Sequence, residues 1–214
     1  MCRSVMFALV MALAGSLAVA QDYKVEKLES GPPADKLSPE IAKLIGDSGC
    51  KILRGETRTL CEIWTVKELD VSKGKTNDMV LYPLEPGQLI GVIRLPRKAT
   101  DFRNQEVTSG VYTLRYGQQP VDGAHVGTFP TRDFVLLLPA EEDKSPATIG
   151  DYKTLTKASA ASAGTTHPAI YPLLKPSEGE TPSIRHDEEK DWWIVRFGSG
   201  KQAFDMVIVG HAEE

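Results

Sequence analysis

Two apolar runs near the end of the chain, Trp192-Trp-Ile-Val-Arg-Phe197 and Ala203-Phe-Asp-Met-Val-Ile-Val209, flank the turn residues Gly198-Ser-Gly-Lys201. Their β-branched and aromatic side chains favour strands over helices of the same length. A short glycine-containing link between two such runs is typical of a hairpin. We therefore predict that the chain closes with an antiparallel hairpin. In this hairpin Trp192 and Trp193 point to opposite faces, with core or edge packing favoured for both over a role in stacking on a ligand.

The same strand character recurs upstream, at residues 50 to 54, 57 to 66, 88 to 95, 110 to 116 and 133 to 138. In Gly110-Val-Tyr-Thr-Leu-Arg-Tyr116 the large apolar residues alternate with Val111, Thr113 and Arg115, so one face of this strand is expected to be wetter. Few helical periods lie between the strands, which argues against parallel βαβ units. The pattern predicts a mainly β protein, an antiparallel β-sandwich of about seven to nine strands with one or two short helices.

Two short helices fit between the strands. Ser38-Pro39-Glu40 supplies an N-cap, a proline at the first helical position and an acid in the first turn, and Gly46 ends that helix. A second, weaker helix is predicted over 151 to 162, ended by Gly164. Residues 21 to 36 are expected to form an extended lead-in, 139 to 150 and 172 to 190 surface loops, and 37 to 214 a single domain.

The first twenty residues have the pattern of a signal peptide. A lone positive charge at Arg3 precedes the apolar run Val5 to Leu17, and Ala18-Val-Ala20 has the small-x-small pattern of a cleavage site. We therefore predict that residues 1 to 20 are removed and that the protein is exported, to the periplasm or the extracellular space. No later run approaches the ~18 apolar residues that a membrane span needs.

Composition excludes one class of partner. The 214 residues include 25 Lys and Arg against 29 Asp and Glu, a formal net charge of -4. A nucleic-acid binder needs a dense basic stripe to displace counterions from phosphates, and none is present. The length suits about one domain with a core of its own.

The segment from Cys50 to Cys61 predicts a disulfide. Gly55-Glu56 at its centre suits a two-residue hairpin turn. With that turn Cys50 faces Cys61, at the ~4.5 to 5.5 Å Cα separation that a disulfide tolerates. A structural disulfide is favoured over two reduced buried cysteines, over a redox-active pair, which would more typically be C-x-x-C, and over a zinc site.

Sequence motifs of catalysis are absent: there is no H-E-x-x-H, G-x-S-x-G, C-x-x-C or G-x-G-x-x-G. What stands out is the polar loop 117 to 133, which exceeds ordinary connection lengths and is therefore a candidate binding loop. If the loop is functional, we expect it to form a small-ligand pocket with other residues. The candidate residues are Asp122, His125, Arg132, Asp133, His167 and Arg94. The structural alternative, which is favoured, assigns these polar groups to turns and backbone hydrogen bonds.

Residues Gly110 to Tyr116, Asp122-Gly-Ala-His125 and Pro130-Thr-Arg-Asp-Phe134 resemble those of secreted bacterial proteins of β-sandwich type, over about residues 40 to 210. No activity is attached to those proteins, so the resemblance supports the fold and implies no catalytic residue.

The leading hypothesis is an exported, non-enzymatic protein that binds a ligand or protein partner through loop 117 to 133, without cofactor or metal. The rival is a periplasmic hydrolase or metal-dependent enzyme that uses His125, Asp122 and His167. A third interpretation is a structural module associated with the cell envelope.

Overall fold

Antiparallel strands pair edge to edge around almost a full circle. The computed structural model describes residues 22–121, 129–199 and 202–212, so the predicted signal peptide lies outside the described residues. Within these ranges the chain forms strands and two helices, which confirms the mainly β prediction. The elements are β1 (Tyr23–Leu28), α1 (Pro39–Leu44), β2 (Gly49–Arg54), β3 (Arg58–Thr65), β4 (Leu89–Leu95), β5 (Ala99–Thr100), β6 (Glu106–Val107), β7 (Gly110–Gln118), β8 (Asp133–Pro139), α2 (Tyr152–Ala163), β9 (Ile170–Leu174), β10 (Ser183–Asp187), β11 (Trp192–Ser199) and β12 (Gln202–Val209).

Ten strands form one sheet, so the predicted sandwich of seven to nine strands is wrong. Their order is β1-β2-β3-β4-β7-β8-β9-β12-β11-β10, and β5 and β6 form a separate small pair. The sheet curls until β1 and β10 approach each other, which nearly closes a barrel. Alternating apolar and polar residues fit the walls of a sandwich and of a barrel equally well, because both have one face towards a core.

The extra strands come from segments predicted to be irregular. The lead-in 21 to 36 contains β1, which pairs with β2 along its whole length. The predicted surface loop 172 to 190 contains the end of β9 and all of β10. Within β10, His186 lies opposite Trp193 of β11.

Aromatic side chains fill the interior of the barrel. Tyr112, Tyr116 and Tyr171 project inwards from the wall, and all three are buried. Tyr82, from the connection between β3 and β4, also enters the interior and is fully buried. Its hydroxyl accepts a hydrogen bond from the Asp205 backbone N–H (3.1 Å) and donates one to the Leu174 carbonyl (2.7 Å). Tyr82 therefore joins β12 to β9, which share only two residue pairs.

Both predicted helices are present and pack on the outside of the sheet. Ser38 caps α1 by accepting a hydrogen bond from the Ile41 N–H, as predicted. The α1 side chain Ile41 packs near Trp64 on the outer face. Helix α2 begins after the cap Asp151 and ends at Gly164, whose φ of 61° is the left-handed conformation that favours glycine.

The expected wetter face of β7 is in fact buried. Thr113 and Arg115 are both fully buried, because the segment from 139 to 150 folds over them. The Arg115 guanidinium makes two hydrogen bonds to Asp143, at 2.8 and 2.9 Å, and further ones to the carbonyls of Gly87, Ser145 and Ala147. All five N–H donors of the guanidinium are therefore used, and hydrogen bonds rather than apolar contacts fill the space around this side chain.

The predicted disulfide is wrong. Both cysteines are free and buried, and Cys50 lies opposite Ile63 while Cys61 lies opposite Ile52. Arg54 pairs with Arg58, so the turn has three residues, and an irregularity between Ile52 and Leu53 shifts the register by one more residue, so the two cysteines are not directly opposed. The predicted two-residue turn is therefore not the one that this hairpin uses.

We expect both thiols to resist labelling in the folded protein. Burial raises the pKa of Cys50 to about 12 and that of Cys61 well above its usual value. Because the thiolate is the reactive form, a water-soluble maleimide should label neither residue under native conditions and both after unfolding in guanidinium. Peptide mass mapping measures this. A disulfide between them, found as a cross-linked peptide in the unreduced protein, would contradict the free-thiol structure.

Candidate functional site

The two ends of the barrel carry different connections. Because neighbouring strands run antiparallel, β1, β3, β7, β9 and β11 all finish at one end, where the other five strands of the large sheet start. We call this the cleft end. The predicted binding loop 117 to 133 connects β7 to β8, so the described residues at its two ends lie at the cleft end.

Between β1 and β10 the sheet is not continuous. No ladder joins these two strands in the described part of the chain, and we call the gap between them the seam. Away from the cleft end, aromatic rings close the seam: Trp193 contacts Tyr23 of β1 with ring centres 5.1 Å apart and stacks on His186 of β10 at 4.5 Å. The ring contacts take the place of backbone pairing there.

Towards the cleft end the seam opens into a cleft of about 330 Å³. Its volume is at the small end of the range for ligand sites. We call it the seam cleft. Its walls are formed by the last part of β1, the start of β2, the end of β3 and the residues around the start of β10 and the end of β11. These residues are Lys27, Glu29, Ser48, Gly49, Cys50, Ile63, Thr65, Thr181, Pro182, Phe197 and Gly198.

The seam cleft combines an apolar floor with charged groups at its rim. Ile63 and Phe197 are buried members of the barrel core and form the floor. Thr65 crosses the interior and donates a hydrogen bond to the Gly198 carbonyl at 2.7 Å, which fixes the two walls relative to each other. Lys27 and Glu29 are exposed, and the described contacts include no ion pair for either. Both charges are therefore available to a ligand.

The predicted loop residues Arg132 and Asp133 also lie at the cleft end, at the start of β8. The Arg132 Nε donates to the Gln119 carbonyl at 2.7 Å, and the Arg132 backbone N–H donates to the Met79 carbonyl at 2.8 Å. The first bond holds the two sides of the loop together, and the second ties the loop to the connection between β3 and β4. The other two candidates in this loop, Asp122 and His125, lie outside the described residues.

Asp133 holds the connection that carries Tyr82 in place. Its fully buried carboxylate accepts hydrogen bonds from the backbone N–H groups of Leu81 (2.8 Å) and Tyr82 (3.3 Å) and from the Tyr116 hydroxyl (2.6 Å). Burial raises the pKa of Asp133, and these hydrogen bonds oppose that rise. With its contacts satisfied inside the protein, Asp133 acts as an anchor.

The raised pKa of Asp133 predicts the direction in which the stability of the fold changes with pH. Because folded Asp133 binds its proton more tightly than the unfolded chain does, its contribution is greatest below its ordinary value of 3.8 and falls as pH rises through the folded pKa. We expect the difference in free energy of unfolding between the wild type and Asp133→Asn to decrease as pH rises above the ordinary pKa of 3.8. Urea denaturation of both proteins measures it, and an increase with pH would contradict the raised pKa.

The remaining candidates lie towards the other end of the barrel. Arg94, near the finish of β4, pairs with Glu62 at 2.7 Å on the exposed outer face. His167 is exposed and precedes the start of β9. The structure therefore separates His167 from Arg132 and Asp133 by the length of a strand. Among residues 22–121, 129–199 and 202–212, no group of three or more His, Cys, Asp or Glu side chains could hold a metal ion.

A second, smaller recess of about 180 Å³ lies beside α1 and has acidic residues on its wall. Its polar groups bond to one another: Asp70 accepts from Ser72, and Gln88 bridges to the Asp70 carbonyl and the Glu85 N–H. The hydrogen bonds from Ser72 lower the pKa of Asp70. This recess has about half the volume of the seam cleft.

Sequence reasoning did not identify Lys27 and Glu29. Both lie in a segment predicted to be a lead-in, and their importance depends on which strands meet at the seam. The alternation of Tyr23 and Val25 with charged residues is the signal that could have identified β1 as a strand.

Comparisons with known proteins give no relative from which a function could be transferred. No helix in the described part of the chain has both the length and the apolar character needed to cross a membrane. No family model matches the chain, and neither the curated proteins nor the solved structures give a match. The function is therefore inferred from the chain's own residues.

Proposed function

We propose that this protein is an exported, non-enzymatic binding module whose ligand or partner occupies the seam cleft. The observation that carries the proposal is the cleft of about 330 Å³ between two strands that are not paired with each other, with the free charges of Lys27 and Glu29 at its rim. A concave site with an apolar floor and a few polar groups is the usual form of a ligand site.

The scaffold around the cleft favours binding over structural support alone. The filled interior and the Thr65 bond to Gly198 keep the walls rigid, and functional residues are commonly carried on loops held by such a scaffold. Exposed apolar side chains lie near the described part of loop 117 to 133, including Val121, which is 78% exposed. We propose that this loop adds contacts to a partner that is bound in the cleft. Export is proposed from the pattern of residues 1 to 20.

Fragment screening by NMR tests the proposal. The probe is a mixed library of small carboxylic acids, amines, sugars, amino acids and blocked dipeptides, added to the ¹⁵N-labelled mature chain. We expect saturable shifts in the amide signals of residues that line the seam cleft. Hits that cluster elsewhere on the surface, or none at all, would contradict the proposal.

A pair of variants separates binding in the cleft from binding elsewhere. Ser48→Trp places a bulky ring on an exposed residue of the cleft wall and should abolish the shifts. Thr166→Trp makes a comparable change on an exposed residue near the opposite end of the barrel and should leave them unchanged. Equal binding by both variants would contradict the proposed location.

A further inference from the structure

We infer that the seam cleft takes an extended peptide, which adds as a strand to the free edge of β1 and presents an acidic and a basic side chain two residues apart. The inference rests on the proposed function and names the ligand class of the same site. Strand addition to an exposed sheet edge is a common mode of peptide recognition, in which the backbone supplies affinity and alternate side chains supply specificity.

The backbone part follows from the sheet order. β1 pairs with β2 on one side only, so its other edge faces the seam with no ladder partner in the described residues. An unpaired strand edge presents a row of N–H and C=O groups that can pair with another chain. The aromatic contacts of Trp193 close the seam away from the cleft end, so an added strand has room only beside the last part of β1.

The side-chain part follows from alternation along β1. Tyr23 is buried in the barrel core and Val25 packs against it, so Lys27 continues the same face and Glu29 follows two positions later. Lys27 lies opposite Cys50 of β2, which in turn lies opposite Ile63. In an added strand, the residue opposite Lys27 shares this face at a Cβ distance of ~4.5 to 5.5 Å.

Charge complementarity sets the pattern of the peptide. In an added antiparallel strand an acidic side chain fits opposite Lys27, and a basic one, on the same face two residues earlier in the peptide, fits near Glu29. The aliphatic stem of the basic side chain can cover the apolar floor formed by Ile63 and Phe197 while its charge stays at the rim. A cleft of about 330 Å³ accommodates only this short part of the peptide.

The test uses the blocked hexapeptide acetyl-Thr-Lys-Val-Asp-Val-Thr-amide and isothermal titration calorimetry. Three further probes are the same peptide with its Asp and Lys exchanged, the same peptide N-methylated at alternate residues, and the free dipeptide Asp-Lys. We expect the first peptide to bind more tightly than the exchanged one. Both N-methylation, which removes backbone donors, and shortening to the dipeptide should weaken binding at least about tenfold.

Exchanging the two charges on the protein gives a test that a misfolded variant could not pass, because it predicts a reversed preference and not a loss of binding. The double variant Lys27→Glu/Glu29→Lys should reverse the preference, so that the exchanged peptide binds about tenfold more tightly than the original. Lys43→Glu, on the exposed side of α1, is the matched control and should keep the original preference.

Three results would overturn the inference: undiminished binding of the N-methylated peptide, equally tight binding of the free dipeptide, or a double variant with the original preference. If fragments bind the cleft in the NMR screen and the hexapeptide does not, strand addition is wrong and the proposed function stands. If neither the fragments nor the hexapeptide bind, both the inference and the proposed function are wrong.

Discussion

Replacing Arg115 by Met is expected to lower the free energy of unfolding by about 3 to 5 kcal/mol, the usual cost of removing one partner from a buried ion pair. Arg115 has no exposed side-chain surface, and that of Asp143 is 6% exposed. The substitution leaves the Asp143 carboxylate buried with only the Thr113 hydroxyl as a described donor. It also leaves the carbonyls of Gly87 and Ala147 without the guanidinium.

Arg94→Met is the matched control for this prediction. Arg94 also forms an ion pair, with Glu62 at 2.7 Å, but its side chain is 45% exposed. Pairs exposed to solvent contribute about 0 to 1 kcal/mol, so this variant should remain close to the wild type in urea denaturation. The double variant Arg115→Met/Asp143→Leu should recover part of the loss, because it removes the uncompensated charge. Equal losses for Arg115→Met and Arg94→Met would contradict the role given to Arg115.

Replacing Tyr82 by Ala should be about as damaging, with a loss of about 3 to 5 kcal/mol, the range measured for removing buried aromatic side chains. The ring of Tyr82 fills the barrel interior, where it stacks on Phe204 at 5.3 Å. Its hydroxyl also links the Asp205 N–H to the Leu174 carbonyl. The variant therefore leaves a cavity and two backbone groups without their bridge.

Tyr82→Phe separates the two contributions. It keeps the ring and removes only the bridge between β12 and β9, so the loss should be about 1 to 3 kcal/mol, the cost of leaving buried hydrogen-bonding groups unsatisfied. Urea denaturation gives the free energies, and amide exchange around Leu174 and Asp205 should become faster in this variant. A Tyr82→Phe variant with unchanged stability and exchange would contradict the bridge.

Local features of the fold could be predicted from the sequence because local chemistry specifies them. The cap Ser38, the end of α2 at Gly164 and the closing hairpin all depend on residues close together in the chain. β9 was missed because Pro172 interrupts an apolar run, and proline ordinarily argues against a strand inside a sheet. β10 was missed because an edge strand carries polar residues, including Arg185 and His186.

The candidate site could be predicted only in part. The position of loop 117 to 133 between two strands was correct, and the favoured structural alternative matches the backbone contacts of Arg132 and Asp133. The seam cleft depends on which strands form the two edges of the curled sheet, which is a long-range property. The predicted pairing of Cys50 with Cys61 failed for local reasons, since a three-residue turn and one irregularity in the ladder each shift the register by one residue.

Residue-resolved amide hydrogen exchange tests most directly whether the sheet stops short of closing at β1 and β10. If the seam is open, protected and unprotected amides should alternate along β1 and β10, because only every second N–H faces a paired strand, whereas β7 should be protected throughout. Continuous protection along both β1 and β10 would show a closed barrel and contradict the seam. Uniformly fast exchange along β1 would show that this strand is not part of the sheet.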